Sequence, residues 1–424
     1  MGALKGVNYE DPLVKYRGER VVSLLRKLEP SAKRPDPEVA VDIYYTFFLP
    51  FPILNEAAAD QDSYRIVSAL ISSARLVDVK KYTIADSVAS SIAAATILYR
   101  LSKLQQRMAY GSAGGERSEE EGPQIPDDQL KAMVEGALKE AAEQMETVKD
   151  VESLAQSIAA GTGSYLSLEE SVADVYRLAK NSDLRELLDF LKTFDAFEVA
   201  SQSRRLSHRY SRGEVRAYEL GGDIERLVPY ELSLPEELFY AKLADSKLLL
   251  YEKVLPETLG PIYVLLDKSG SMMGAKILWA KAVALALARR AMSERRNYYI
   301  RFFDSIPYPA IKLKTRVKGR DLVKLLDYIA RVKASGGTDI TRAIMAASDD
   351  IAGKRFPGAS DIILVTDGED RIGVELVRRE LKRAQARLIS VMIQGDNPDL
   401  REASDVYLNV SMLSSSEALK VVRF

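Results

Sequence analysis

The sequence predicts an α/β protein in which an all-helical N-terminal region precedes a doubly wound, mostly parallel, Rossmann-like sheet. Up to about residue 250, apolar residues recur every three or four positions, which is the spacing of one helix face. From residue 257 onward, short apolar runs alternate with longer amphipathic stretches. This alternation is typical of parallel strands covered by helices on both sides. We therefore expect two parts, a helical region at residues 1–250 and a sheet domain at residues 257–424.

The helical region contains three long stretches with helical spacing, at residues 86–106, 130–158 and 168–197. Two other segments interrupt the pattern. Residues 111–126 are rich in Gly, Glu and Pro and carry almost nothing apolar, so they cannot offset the entropy of ordering and predict a flexible acidic loop. Residues 213–235 are polar, and we expect an irregular hinge between the two parts.

The sheet domain contains short apolar runs that predict five strands, at residues 262–266, 298–303, 361–365, 388–393 and 406–410. Amphipathic stretches between them predict helices, from the turn after the first strand to about residue 296 and at residues 320–330 and 339–352. Ligands of such sheets bind outside the carboxyl ends of the strands, at the point where the strand order reverses. The functional residues should therefore follow the strands directly.

Composition excludes several function classes. The 424 residues include 60 Lys and Arg against 61 Asp and Glu, so no overall positive charge favours nucleic acid or an anionic membrane. With no Cys and one His, His208, thiol catalysis, zinc fingers and most zinc enzymes are excluded, and a Ser–His–Asp triad is disfavoured. We find neither a membrane-spanning stretch nor a signal-peptide pattern, and expect a cytoplasmic protein.

Three loops at predicted strand ends or helix starts carry oxygen-bearing side chains. Asp267, Ser269 and Ser271 follow the first strand, Thr338 precedes a helix, and Asp367 follows a later strand. Because these loops meet at one edge of the sheet, we expect the five side chains to lie together. Their ligand atoms are all oxygens, which suit a hard divalent ion such as Mg²⁺ or Mn²⁺. The sequence therefore predicts a metal site at this edge.

The spacing of these residues also indicates what the ion would bind. Asp267, Ser269 and Ser271 alternate along a loop that we expect to be extended, so their side chains can point the same way. Two carboxylates neutralise the charge of a divalent ion. Because the hydroxyls are weak ligands, the ion could still accept a further anion. A carboxylate from another molecule is the natural candidate. The helix that begins near Asp339 should point its positive end at the same place.

The three motifs together resemble the metal-ion-dependent adhesion site of von Willebrand factor A (VWA) domains. They are Asp-x-Ser-x-Ser at residues 267–271, Gly-Gly-Thr at residues 336–338 and Thr-Asp-Gly at residues 366–368. The resemblance covers residues 257–424. It implies that Asp267, Ser269 and Ser271 are metal ligands, and that Thr338 and Asp367 bind the ion directly or through water. Asp339 stands where many VWA domains have Asn.

The flanking sequence is similar to that of CoxE/ViaA-type proteins of bacteria and archaea, at residues 222–232, 250–251, 260–261 and 274–282. Those proteins join a helical N-terminal region to a C-terminal VWA domain and act with MoxR-type AAA+ ATPases. The resemblance therefore implies a non-enzymatic adaptor. Its partner would be an AAA+ ATPase that offers an Asp or Glu to the metal ion.

Two other functions remain open at this stage. A Ro-like, RNA-binding ribonucleoprotein component also joins a helical array to a VWA domain, and the five Arg between residues 204 and 216 could bind RNA. Such an arginine run also suits a solvated face, and the neutral total charge counts against RNA. A metal-dependent hydrolase could use Asp267 and Asp367, but the sequence shows no evident general base. Residues 270–276 only partly match a phosphate-binding loop, since the Gly before Lys276 and the Ser or Thr after it are missing.

Overall fold

The computed structural model describes most of the chain, namely residues 2–30, 35–59, 61–111, 126–159, 171–192, 209–254, 259–315, 317–354, 356, 358–368 and 370–423. Nearly all of the predicted acidic loop at 111–126 lies outside the described residues, and so does His208. None of the helices in the described ranges combines the length and apolar character needed to cross a membrane.

Eight helices form the described N-terminal part: α1 Pro12–Leu28, α2 Pro37–Phe48, α3 Asp62–Ser72, α4 Leu76–Thr83, α5 Ser87–Gly111, α6 Asp127–Ala159, α7 Val172–Ala179 and α8 Ser182–Lys192. The first two begin at Asp–Pro pairs, in which the Asp side chain caps the helix and the Pro occupies its first turn. The long helices α5 and α6 pack against each other and contribute many of the buried residues of the helical core. A helical N-terminal region is thus confirmed for the described residues up to 192, whereas the predicted all-helical part extended to residue 250.

One predicted helix is two helices in the structure. The stretch at residues 168–197 was expected to be continuous, but α7 ends at Ala179 and α8 begins at Ser182. The Oδ1 atom of Asn181 accepts a hydrogen bond 2.9 Å from the backbone N–H of Asp183, so Asn181 caps α8 and starts a new helix direction. The ends of the predicted stretch, residues 168–170 and 193–197, lie outside the described residues.

The prediction of an irregular hinge at residues 213–235 was wrong in its first part. Strand β1, Arg209–Gly221, pairs antiparallel with β2, Leu248–Val254, and the connection holds the short helix α9, Glu236–Ala244. Leu248 and Leu250 of β2 are buried, whereas Tyr218 and Leu220 of β1 are exposed. An antiparallel strand with one solvated face has a mixed polar composition, which resembles that of an irregular polar segment.

Within its described residues, the sheet domain contains six strands in the order β5-β4-β3-β6-β7-β8. They are β3 Ile262–Asp267, β4 Tyr298–Phe303, β5 Ile311–Leu313, β6 Ser360–Thr366, β7 Ala386–Ile393 and β8 Val406–Val410. All pairings are parallel except that of β4 with β5. The five predicted strands and the doubly wound, mostly parallel fold are confirmed. The edge strand β5 was missed, since three residues are too short to show a period.

The chain winds outward in both directions from the middle of this sheet, first from β3 to β4 and later from β6 to β8. The strand order therefore reverses between β3 and β6, whose carboxyl ends are Asp267 and Thr366. In doubly wound sheets this is the place where ligands bind.

Helices cover both faces of the sheet: α10 Ala275–Ser293, α11 Gly319–Arg331, α12 Ile340–Ala352, α13 Val374–Ala384, α14 Pro398–Ala403 and α15 Ser415–Arg423. Alternate residues of β3 belong to the two resulting cores, with Val264 and Leu266 on one side and Tyr263 and Leu265 on the other. The N-terminal helices α6 and α8 pack on α10, and α8 also packs on α11. Thus α10 links the loop after β3 to the N-terminal helices.

Candidate metal centre

Asp267 is the fixed point of the candidate site. It ends β3 and its side chain is fully buried. Its Oδ1 atom accepts a hydrogen bond 2.7 Å from the backbone N–H of Ser269, and its Oδ2 atom accepts one from the hydroxyl of Thr366 at the end of β6. Burial raises the pKa of Asp267, and the charge of Asp367 raises it further, whereas these hydrogen bonds lower it. A buried carboxylate in this position is stabilised by a nearby cation.

A chain of hydroxyl groups leads from this point to Asp367. The Oγ atoms of Ser269 and Ser271 lie 3.1 Å apart, and the Ser271 hydroxyl donates to Oδ1 of Asp367 over 2.7 Å. The loop is not extended as expected, because Gly270–Met272 form a 3₁₀ turn, and Ser271 within this turn reaches Asp367. Four of the five predicted residues thus form one cluster. Their role as metal ligands stays a prediction.

Thr338 approaches the same cluster from the loop before α12. A Cβ atom added at Gly368, next to Asp367, would lie 3.3 Å from the Oγ1 atom of Thr338. The loop is also tied to the loop after β3, since the backbone N–H of Gly270 donates to the carbonyl of Gly336 over 3.0 Å. The φ angle of Gly336 is +94°, in the left-handed region that favours glycine. The structure therefore brings all five predicted residues to one edge.

Two residues that hold the Gly-Gly-Thr loop were missed. The Nζ atom of Lys268 lies 2.7 Å from Oδ2 of Asp304 and 3.3 Å from both oxygens of Ser335. Burial raises the pKa of Asp304, but hydrogen bonds from Lys268, from the backbone N–H of Ile306 and from Tyr308 hold it below its usual value. Asp304 directly follows β4, so the strand-end argument applied to the other loops could have found it.

Lys276 supplies a positive charge that the sequence did not place at the site. It lies in the first turn of α10, and its Nζ atom is 2.5 Å from Oδ2 of Asp367. The Asp367 side chain is 2% exposed and that of Lys276 is 25% exposed. The sequence drew attention to Lys276 as part of an incomplete phosphate-binding loop and of the CoxE/ViaA-like flank, but not as a charge at the site.

The start of α12 is occupied by carboxylates of its own chain. Oδ1 of Asp339 accepts a hydrogen bond 2.8 Å from the backbone N–H of Arg342, and Oδ2 of Asp370 accepts one 3.0 Å from that of Ile340. This helix was expected to offer its positive end to the site. Its first N–H groups are instead partly satisfied by these two caps.

The donor atoms of this cluster fit a hard divalent ion. Asp267 and Asp367 supply two carboxylates, the Ser and Thr side chains supply hydroxyls, and neither sulfur nor imidazole is present. In the part of the chain that the structure describes, no three His, Cys, Asp or Glu side chains lie together so that they could hold a metal ion. An ion at this edge would therefore depend on the hydroxyl groups, for which Mg²⁺ and Mn²⁺ are suited.

Comparison with known proteins agrees with the motifs. Residues 256–407 match the family model described as a VWA domain containing CoxE-like protein. The uncharacterized protein MJ0811 of Methanocaldococcus jannaschii is 27% identical over 413 residues, which cover 91% of this chain and 90% of that protein. The uncharacterized protein MJ0077 of the same organism is 28% identical over 298 residues, 67% of this chain and 74% of that protein.

Solved structures give more distant similarities. A von Willebrand factor type A protein from Catenulispora acidiphila has a TM-score of 0.34 and 17% identity, over 41% of this chain and 43% of that chain. Proximal thread matrix protein 1 from the mussel byssus, in a structure with a zinc-occupied MIDAS motif, has a TM-score of 0.32 and 17% identity, over 39% of this chain and 48% of that chain.

Residues 256–407 thus form a VWA domain. More narrowly, it is a VWA domain of the CoxE-like type, as the motifs and their flanks predicted. VWA domains are generally interaction modules rather than enzymes, and the family match supports a metal-dependent interaction domain.

Proposed function

We propose that the VWA domain binds one Mg²⁺ or Mn²⁺ ion and, through it, a carboxylate of a protein partner. The ion would be held by the five clustered residues Asp267, Ser269, Ser271, Thr338 and Asp367. The observation that carries this proposal is the set of hydrogen bonds that joins buried Asp267 to the backbone of Ser269, the Ser269 hydroxyl to that of Ser271, and the Ser271 hydroxyl to Asp367. Mg²⁺ favours six oxygen ligands, and these side chains offer five, so one position is left for a partner oxygen.

The exposed side of the cluster suits a protein partner. Ser271 is exposed, whereas Ser269 and Asp267 are buried beneath it. Met273, two residues further along the loop, is 70% exposed and offers a flexible apolar contact beside the polar site. A metal–carboxylate bond surrounded by apolar contacts would concentrate binding energy at the centre of an interface.

We propose further that the protein is a non-enzymatic adaptor of a MoxR-type AAA+ ATPase, which would supply the Asp or Glu. The motive for this partner is the resemblance of the motif flanks to CoxE/ViaA-type proteins, which act with such ATPases. The N-terminal helices, which pack on α10 and α11, would hold a second client, while Ser271 at the metal edge stays exposed for the ATPase. A purified chain should then show no ATPase, phosphatase or nuclease turnover. A turnover that disappears in Asp367→Ala would contradict the adaptor role.

Calorimetric titration with Mg²⁺ tests the ion site. We expect one ion per chain in the wild type and no binding in Asp267→Ala, because the buried carboxylate is the anchor of the cluster. Asp349→Ala is the matched control, since Asp349 is an exposed Asp of α12 that pairs with Arg383. Equal affinity in wild type and Asp267→Ala would reject the assignment.

Binding to the candidate ATPase tests the partner. Affinity should be lost in chelator and in Ser271→Ala, and retained in Mg²⁺ with Asp349→Ala. Circular dichroism should show the same helical content in every sample, so that loss of binding reports the site alone. Affinity that stays the same in Mg²⁺, in chelator and in Ser271→Ala would remove the ion from the interface.

A further inference from the structure

Lys276 has an unusual position for a cation. It lies in the first turn of α10, and that turn contains no acidic residue. The positive end of a helix disfavours cations and favours anions. Its ammonium group nevertheless lies 2.5 Å from Asp367, which is nearly inaccessible to solvent. The ion pair with Asp367 compensates for the unfavourable helix position, so Lys276 depends on this carboxylate.

We propose that Lys276 is the internal counter-ion of Asp367, which a divalent ion must displace, and that the displaced ammonium group then binds the partner carboxylate. This inference rests on the proposed metal site and extends it. The two oxygens of Asp367 are taken by Ser271 and by Lys276. An ion that binds Asp367 would therefore compete with Lys276 for negative charge.

The formal charges explain why this lysine would favour an acidic partner. Asp267, Asp367 and Lys276 together carry one net negative charge, and a bound divalent ion changes this to one net positive charge. Without Lys276 the loaded site would be neutral. An incoming carboxylate is attracted by a positive site and gains little from a neutral one. Lys276 would thus weaken the metal affinity and strengthen the carboxylate affinity.

Lys276 also has the freedom that this exchange requires. A lysine ammonium group is a compact charge on a flexible stem, and this side chain is 25% exposed. Ser271, which shares Asp367 with it, lies at the exposed end of the cluster. The ammonium group can therefore leave Asp367 toward solvent on the side where a partner would approach.

Calorimetry with Mg²⁺ alone tests the first half of the proposal. Lys276→Met should bind the ion about tenfold more tightly than the wild type, which corresponds to about 1.4 kcal/mol. Lys276→Arg keeps the charge and should stay close to the wild-type affinity. Lys420→Met is the matched control. Lys420 is an exposed, ion-paired lysine of α15. The end of α15 contacts Arg290, which lies about 20 Å along α10 from Lys276, so Lys420 is remote from the site.

Titration with a short peptide tests the second half. At saturating Mg²⁺, an acetylated and amidated Ala-Ala-Glu-Ala-Ala peptide is compared by NMR with its Gln counterpart. The wild type should prefer the Glu peptide, and Lys276→Met should bind it about fivefold more weakly in spite of its tighter metal binding. A residue with only a structural role would not change the two affinities in opposite directions.

The outcomes separate this inference from the proposed function. If the wild type binds Mg²⁺ and Lys276→Met binds it equally well or more weakly, the counter-ion role is wrong and the proposed metal site is unaffected. Mg²⁺ binding by Lys276→Met but not by the wild type would support the counter-ion role. Mg²⁺ binding by neither protein would reject the counter-ion role and the metal site together. Equal Glu-peptide affinity in wild type and Lys276→Met, or no preference for Glu over Gln in the wild type, would overturn the carboxylate role.

Discussion

Strand β6 has an aspartate near each end, and the two are neutralised in different ways. At its start, Asp361 pairs with Arg296 at 2.6 Å and with Arg387 at 2.6 Å. Beyond its other end, Asp367 pairs with the single Lys276 and accepts a hydroxyl hydrogen bond. Both carboxylates are nearly inaccessible, at 5% and 2% exposure, so burial alone does not distinguish them.

The two aspartates differ in the side chain that neutralises each of them, Arg296 for Asp361 and Lys276 for Asp367. Arg296 is 3% exposed and its rigid fork also donates to the carbonyls of Gly260 and Pro261, so it fixes the start of β3. Lys276 is more exposed and flexible, and the hydroxyl beside it is a weak partner. The buried Arg296 therefore stabilises the amino end of the strand, whereas Lys276 at the carboxyl end would be replaced by the proposed metal ion.

The largest effect on stability should follow from removing Asp361 and its ion pairs at the amino end of β6. We expect Asp361→Ala to lower the free energy of unfolding by about 3–5 kcal/mol, because Arg296, which is 3% exposed, loses its buried counter-ion. Asp367→Ala in chelator should cost only about 1 kcal/mol, because Lys276 can reach water. Urea unfolding of the two variants measures the difference. Equal losses would show that the two ends are alike.

The second-largest effect should come from adding Mg²⁺, which would stabilise the folded protein through the site at the carboxyl end of β6. Mg²⁺ at a hundred times its dissociation constant should raise the free energy of unfolding of the wild type by about 2.7 kcal/mol. The same concentration should leave Asp267→Ala unchanged. Thermal unfolding with and without chelator measures this effect. A shift of the same size in both proteins would point to binding elsewhere on the chain.

Lys268 should contribute both to stability and to the site. Lys268→Met leaves Asp304 buried without its ammonium partner and frees the Gly-Gly-Thr loop, so we expect a loss of about 1–3 kcal/mol in urea unfolding. Calorimetry should also show weaker Mg²⁺ binding, since Thr338 is held by that loop. An unchanged Mg²⁺ affinity would restrict Lys268 to a role in folding.

The smallest expected effect concerns a second lysine on α10. Lys281 is 4% exposed and donates to the carbonyls of Ala330 and Val332, and burial lowers its pKa to about 8. The folded protein then loses this proton near pH 8, whereas the unfolded chain keeps it until about pH 10.5. Stability should therefore rise with pH across this range, by about 1 kcal/mol between pH 8 and 9. Urea unfolding at several pH values should show this rise in the wild type and not in Lys281→Met. The same dependence of the free energy of unfolding on pH in both proteins would contradict the prediction.

The sequence predicted the parts of the fold whose signal is local and regular. The apolar strands and the strand-end motifs can each be read from a few consecutive residues. The break at Asn181 depends on one side-chain hydrogen bond, and β1 depends on its pairing with β2, so neither showed in the periodicity. The three residues of β5 are too few to form a pattern.

The candidate site was predicted as far as its motifs extend. Asp267 and Asp367 were found because each follows a strand. Lys276 was not, because its contact with Asp367 joins residues 91 positions apart and depends on the order of β3 and β6 in the sheet. Residues that modify the charge of a site can come from any neighbouring element, so motifs alone do not reveal them.

The most direct test of the ion site is an anomalous-difference map from crystals of the whole chain grown with Mn²⁺. We predict one peak in contact with the hydroxyls of Ser269 and Ser271 at the carboxyl ends of β3 and β6, with the ammonium group of Lys276 turned away from Asp367. No peak at this edge, with Lys276 still paired to Asp367 at a saturating Mn²⁺ concentration, would contradict the account.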